Sequence, residues 1–152
     1  MGHIKVSIPI NAPVDRVIEV ASDPRHWAAW WVNLGEAEKI EGDGGVGTVV
    51  EHKYLMAGVP FHVTTRVTGR EETPGGGQRL RLEFDGPLKG RQTWDYTPDG
   101  SGSTLVTAEI DYNVPGSAIG KFADELIIER MQESARQQTL ENLKLMVEAG
   151  SS

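Results

Sequence analysis

The chain has 152 residues, of which 15 are basic and 22 acidic, and its formal net charge is −7. This acidity argues against nucleic acid or an anionic membrane surface as a partner, because both reward clustered lysine and arginine. The sequence contains no cysteine, which excludes disulfides, zinc–thiolate sites and thiol nucleophiles.

The first element is a strand. Residues 3–10 alternate polar and apolar side chains, which predicts a half-buried strand, and Pro9 places it at the edge of a sheet. A short helix over 13–22 follows, with Asn11 as its N-cap. A second short helix, over about 24–31, carries three tryptophans. These are Trp27, Trp30 and Trp31.

Beyond residue 34 the pattern changes to strands that are separated by short glycine- and proline-rich turns. The predicted strands cover about 35–41, 46–56, 59–71, 78–85, 89–97 and 103–114. Short connections favour hairpins, so the sheet is predicted to be antiparallel.

The turn at Ala57-Gly58 sets the register of one hairpin. It places His52 opposite Val63 and Tyr54 opposite Phe61, all on an apolar face. His62 falls on the opposite, polar face, so the two histidines cannot share one metal ion. Leu55 and Leu105 are exceptions, apolar residues on the polar side.

The last element is a helix over about 117–148, roughly 48 Å long. Its apolar stripe includes Phe122, Leu126 and Ile127, with Arg130 close to the same line. This helix is the only predicted element long enough to cover the apolar face of the sheet. Because a twisted sheet bends away from a straight helix, space remains between them unless large side chains fill it.

Length predicts one domain over residues 1–152, large enough to bury a core. No run reaches the roughly 18 apolar residues that span a bilayer, and no apolar segment of signal-peptide length follows Met1. We therefore expect no stable membrane insertion and a cytoplasmic location.

The order of strand, two short helices, six strands and long helix resembles the START-like, or helix-grip, superfamily over about residues 3–148. Members include plant pollen allergens and bacterial polyketide cyclase/dehydrases. The segments that carry the resemblance are Ile8-Pro9-Ile10-Asn11-Ala12-Pro13 with Val17, Asp23-Pro24 through Trp30-Trp31, Gly86-Pro87-Leu88-Lys89-Gly90 with Trp94, Gly102-Ser103-Thr104 with Val106, and Leu140-Glu141-Asn142-Leu143-Lys144 with Glu148.

The resemblance implies an α+β fold in which a curved, seven-stranded antiparallel sheet grips the C-terminal helix around a deep apolar cavity. It also implies a bound lipid, polyketide or other hydrophobic metabolite, and no cofactor. The side chains expected to line the cavity are Trp30, Val50, His52, Tyr54, Phe61, Val63, Phe84, Trp94, Tyr112, Phe122, Leu126, Ile127 and Arg130.

The candidates for acid–base chemistry are His52, Tyr54, Tyr112 and Arg130, each weighed against a purely structural role. For Arg130 the favoured alternative is a side chain that extends to the surface. No metal-binding string is present, and no metal site is expected. Gly42-x-Gly44-x-x-Gly47 matches a dinucleotide-binding string, but β-branched residues follow it, which favours a hairpin loop.

Three functions remain open at this point. The chain binds or carries a hydrophobic molecule, or it is a cofactor-free cyclase or dehydratase acting on a polyketide-like substrate, or it is a protein-interaction module of the same fold. The first needs mainly apolar area in the cavity. The second adds a positioned acid or base. The third requires a filled cavity and a contact patch on the surface, for which the tryptophans are candidates.

Overall fold

The computed structural model describes residues 2–56, 58–113 and 125–150. The chain begins with a strand and two short helices, and a short 3₁₀ turn at Pro24–His26 joins those helices. The first elements are β1 (Gly2–Ile10), α1 (Val14–Ala21) and α2 (Trp27–Trp30). The remaining elements are β2 (Lys39–Glu41), β3 (Val49–Met56), β4 (Val59–Thr73), β5 (Gly77–Asp85), β6 (Lys89–Pro98), β7 (Thr104–Asn113) and α3 (Glu125–Ala149).

The described strands form one seven-stranded sheet in the order β1-β7-β6-β5-β4-β3-β2, and every neighbouring pair is antiparallel. The predicted antiparallel sheet and the edge position of the strand that contains Pro9 are confirmed. β2 is shorter than predicted because residues 35–38 follow β3 only through isolated backbone hydrogen bonds, such as Gly35 N–H to Lys53 O.

The predicted hairpin register is also confirmed, since His52 pairs with Val63 and Tyr54 with Phe61. Side chains alternate between a buried inner face and an exposed outer face along the strands. Leu55 and Leu105 lie on the outer face and are about 40% exposed (44% and 40%). A bulge between Val67 and Gly69 in β4 shifts the register with β5, and such bulges bend a sheet.

Helix α3 covers the inner face, and Leu140, Leu143 and Val147 in its second half are completely buried. Its C-terminal end is tied to the end of β1, because Lys144 Nζ donates to Pro9 O and Asn11 N donates to Glu148. Asn11 does not cap α1, in contrast to the prediction, because the N-cap position is Pro13 and no side chain caps the helix there.

Part of the predicted long helix, residues 117–124, lies outside the described residues. In the part of the chain that the structure does describe, no helix combines the length and the apolarity that a bilayer span requires.

Candidate functional site

A cavity lies between the inner face of the sheet and α3. Its volume is about 40 Å³, which is room for a few waters. Among the described residues its walls are formed by Trp31, Leu34, His52, Tyr54, Met56, Val63, Thr65, Phe84, Leu88, Gln92, Ile110, Tyr112, Gln132 and Arg136. The cavity is narrower than the resemblance implies, because many of these side chains are large and point into the gap.

His52 on β3 is buried, and its Nε2 lies 2.7 Å from the hydroxyl of Thr65 on β4. Burial lowers the pKa of His52 to about 4, and the neighbouring His62 adds a smaller effect in the same direction. The imidazole is therefore neutral at neutral pH. It can exchange a hydrogen bond with a ligand, but a group with this pKa is a weak base.

Arg136 on α3 is only 5% exposed. Its Nη1 donates to Gln92 Oε1 at 3.2 Å, and its Cζ lies 5.1 Å from the centroid of the Trp31 ring. Among the described residues no carboxylate lies within ion-pairing distance of it, and burial lowers its pKa. The structure thus holds a buried positive charge whose contacts are a neutral amide and an aromatic face.

Tyr112 on β7 presents a buried hydroxyl that has no hydrogen-bond partner among the described residues. Its ring lies against the backbone of Gly2 on β1, in the space that a Cβ there would occupy. Burial, supplemented by the charge of Glu129, raises the pKa of Tyr112 to about 12. The phenol therefore keeps its proton and is a hydrogen-bond donor without an acceptor.

Tyr54 and Gln132 connect the sheet to the helix at the cavity wall. Gln132 Nε2 donates to Tyr54 Oη at 3.1 Å. Tyr54 is only half-buried, whereas Gln132 is 6% exposed. Tyr54 is therefore the partly solvent-exposed member of the polar pair.

The structure brings five of the predicted site residues together in the cavity wall. These are His52, Tyr54, Val63, Phe84 and Tyr112. Four others are buried in the surrounding core without lining the cavity, namely Trp30, Val50, Phe61 and Trp94. Phe122 and the side chain of Leu126 lie outside the described residues.

The placement of Ile127 on the inner face of the helix is wrong, whereas Arg130 takes the alternative expected for it, a position at the surface. Ile127 is 55% exposed, and Arg130 lies on an open, polar surface of α3. The inner face instead carries Gln132 and Arg136, which are not among the predicted site residues. The apolar stripe was misleading because it included Ile127 and Met131, which is 47% exposed, while the polar side chains of Gln132 and Arg136 line the cavity.

A signal for the correct face was present in the sequence. Stepping back from Leu140 and Leu143 in intervals of three or four residues reaches 136, then 132, then 128. Ile128, Gln132 and Arg136 are all buried. The buried apolar residues in the C-terminal half of the helix therefore indicate which side of its N-terminal half faces the cavity.

No group of three or more His, Cys, Asp or Glu side chains that could hold a metal ion occurs among the described residues. The glycines at 42, 44 and 47 all have positive φ and lie in the turn between β2 and β3. A strand follows them rather than a helix, so the prediction of a hairpin loop is confirmed.

A family model described as "Polyketide cyclase / dehydrase and lipid transport" matches residues 1–148. No curated protein matches the sequence significantly. Similar solved structures include a START superfamily protein from Mycobacterium smegmatis, which is 15% identical over 99% of this chain and 100% of that chain, with a TM-score of 0.74.

A second similar structure is the ZhuI aromatase/cyclase from Streptomyces sp. R1128, which is 20% identical over 96% of this chain and 93% of that chain, with a TM-score of 0.69. A third is norcoclaurine synthase from Thalictrum flavum in complex with dopamine and hydroxybenzaldehyde. It is 18% identical over 99% of this chain and 88% of that chain, with a TM-score of 0.66. At these identities the likeness establishes the helix-grip fold alone.

Proposed function

Because the chain belongs to the polyketide cyclase/dehydrase and lipid transport family, we propose that it binds a small, largely apolar molecule in the cavity between the sheet and α3. The observation that carries the proposal is the cavity itself, an internal space with apolar walls and a few converging polar groups. Ligand sites in proteins commonly have this composition. Met56, Val63, Phe84 and Ile110 provide apolar wall, while Arg136 and Tyr112 are among the residues that add polar groups.

A ligand larger than a few atoms enters this cavity only if wall side chains move, since the present space holds a few waters. Tyr54 is the side chain best suited to move, because it is half-buried and, among the described residues, its side chain hydrogen-bonds to Gln132 alone. Rotamer changes of this kind are common when a site fills.

Binding is tested with a neutral apolar dye whose fluorescence rises in an apolar site, together with native mass spectrometry of the freshly purified protein. Val63→Phe introduces a ring into the cavity wall and should abolish dye binding. Val59→Phe is the matched control, because Val59 lies on the same strand, is 39% exposed and does not line the cavity. Circular dichroism establishes that both variants fold.

Dye uptake and a retained small molecule in the wild type, lost only in Val63→Phe, support the proposal. A wild-type protein that shows neither contradicts it. So does equal binding by Val63→Phe and the wild type, because the dye would then occupy another surface.

A second candidate is cofactor-free cyclisation of a polyketide-like chain, and the observation that favours it is the pairing of Arg136 and Tyr112 at one cavity. In an aldol cyclisation a base removes a proton from a carbon next to carbonyls, a carbon–carbon bond forms to another carbonyl carbon, and that carbonyl's oxygen gains the proton. A buried guanidinium and a phenol are suited to stabilise the intermediate enolate.

His52 is the one side chain among the described cavity residues that is a neutral base at neutral pH. Its low pKa argues for slow proton removal, which is why binding is the first proposal. The test is a synthetic poly-β-keto thioester followed by mass spectrometry. Cyclised product that forms faster than in buffer, and more slowly with Arg136→Met, supports catalysis. Rates equal to buffer contradict it.

A further inference from the structure

The cavity holds one positive charge that the described protein groups do not neutralise. Arg136 is buried, and no described carboxylate pairs with it or lines the cavity. His52 adds no charge at neutral pH, since its pKa is about 4. Burial of a charge without a partner is costly, and buried charges in proteins are normally paired.

The hydrogen-bonding capacity of this guanidinium is also largely unused. A guanidinium has five N–H donors, and in the described structure one of its nitrogens, Nη1, donates to Gln92. Gln92 Oε1 already accepts a second hydrogen bond, from Trp94 Nε1 at 3.1 Å. The remaining donors of Arg136 are free for an acceptor that the described chain does not supply.

Tyr112 supplies an independent observation that points to the same missing group. Its hydroxyl is buried and has no partner among the described residues, and Tyr112 is one of the residues that line the same cavity. Arg136 and Tyr112 are close enough to influence each other electrostatically. Glu129 also acts on Tyr112, but it is partly exposed and does not line the cavity, so solvent screens its charge.

We propose that the ligand is an apolar molecule carrying one carboxylate, which Arg136 and Tyr112 receive. A carboxylate has two acceptor oxygens whose spacing matches the fork of a guanidinium. It can also accept a hydrogen bond from the O–H of the phenol. The apolar body then lies against Met56, Val63 and Phe84. This inference rests on the proposed binding function and specifies the chemical class of its ligand.

The experiment compares carboxylates with their carboxamides, which have nearly the same shape but no charge. The probes are acetate, benzoate and 2-naphthoate, each with its amide, measured by calorimetry or by displacement of the neutral dye. The three sizes span ligands that fit the present space and ligands that require it to widen. We expect the best carboxylate to bind the wild type about tenfold or more tightly than its amide.

Two variants and one control locate the recognition. Arg136→Met replaces the arginine by an unbranched apolar side chain of similar volume that carries no charge, and this variant should bind acid and amide equally. Tyr112→Phe should lower the preference for the acid by about threefold to tenfold, because one hydrogen bond is lost. Arg130→Met is the same substitution on the exposed side of the same helix and should keep the full preference.

The outcomes separate this inference from the proposed function. If the dye and the amides bind the wild type but the acids bind no better, carboxylate recognition is refuted while the apolar site stands. A preference that survives in Arg136→Met also refutes it. If neither dye nor any probe binds the wild type, the proposed function and this inference fall together.

Discussion

The guanidinium of Arg136 lies over the indole of Trp31, with Cζ 5.1 Å from the ring centroid. A cation over an aromatic face gains about 0.5–2 kcal/mol, the larger value when it is desolvated. That contact and the hydrogen bond to Gln92 are small compensation for removing a charge from water. Arg136 is therefore expected to cost stability in the ligand-free protein.

We predict that Arg136→Met leaves the free energy of unfolding unchanged or raises it, by up to about 4 kcal/mol, because an apolar side chain of similar volume replaces a buried charge. Gln92 Oε1 keeps its hydrogen bond from Trp94, so no buried amide oxygen is left without a donor. Urea denaturation followed by tryptophan fluorescence measures the change. Arg130→Met, at an exposed position, should stay within about 0.5 kcal/mol of the wild type. A large loss of stability confined to Arg136→Met would assign the arginine a structural role.

His52 makes stability depend on pH in a defined direction. Its pKa is about 4 in the folded protein and near 6.5 when the chain is unfolded. Between these values the unfolded chain binds more protons, so stability rises with pH and is lost as the pH falls. The contribution amounts to about 3 kcal/mol between roughly pH 7 and pH 4.

The measurement is the free energy of unfolding across that range for the wild type and for His52→Gln. Acidic groups with lowered pKa values, such as Asp23 and Glu148, also make the folded protein less stable as the pH falls. Both proteins contain these groups, so the difference between their unfolding free energies isolates the contribution of His52. Parallel curves for His52→Gln and the wild type would show that His52 does not remain neutral in the folded protein.

The architecture was predictable from sequence because its determinants are local. The short connection between Met56 and Val59 and the alternation of residues on either side of it fix which residue faces which, so His52 and His62 separate onto opposite faces without further information. The edge position of the strand with Pro9 follows equally from one residue that cannot donate a hydrogen bond.

The helix side of the site was less predictable. A stripe of apolar residues usually marks the buried face of a helix, but here the cavity-facing turn carries Gln132 and Arg136, while Ile127 is exposed. Such departures from the general pattern are expected where a site replaces core packing. The size of the cavity also could not be derived, because it depends on the rotamers of large side chains such as Tyr112 and Trp31.

The two tryptophans of α2 allow a matched comparison of a satisfied and an unsatisfied indole. Trp27 and Trp30 are both 2% exposed, but Trp27 Nε1 donates to Ala21 O at 2.9 Å, whereas Trp30 Nε1 has no partner among the described residues. Trp27→Phe loses packing and leaves a buried carbonyl without that donor. Trp30→Phe loses packing and removes a buried N–H that had no acceptor.

We therefore predict that Trp27→Phe lowers the free energy of unfolding by about 1 kcal/mol more than Trp30→Phe does. Chemical denaturation followed by circular dichroism gives both values, with the slope of each transition as the check for two-state behaviour. A Trp30→Phe variant that is the less stable of the two would indicate that the indole N–H of Trp30 is bonded in solution, for example to a buried water.

Gly90 on β6 is required by its neighbours on both sides. It pairs with Phe84 on β5 and with Tyr112 on β7, and a Cβ at this position would meet the ring of Phe84 and the carbonyl oxygen of Asp111. The carbonyl belongs to the backbone of the adjacent strand, so the sheet must shift to admit even a methyl group. We predict that Gly90→Ala lowers the free energy of unfolding by about 2 kcal/mol or more.

The same substitution should weaken binding of the neutral dye, because the new methyl group displaces the ring of Phe84, which forms part of the cavity wall. Gly35→Ala is the matched control, since a Cβ there meets its nearest atom, Lys53 O, at an ordinary 3.4 Å. Denaturation and dye titration of the two variants side by side measure both effects. If Gly90→Ala is as stable as Gly35→Ala, the close approach of Phe84 to β6 is relaxed in solution, and the inner wall of the cavity is more open than 40 Å³ implies.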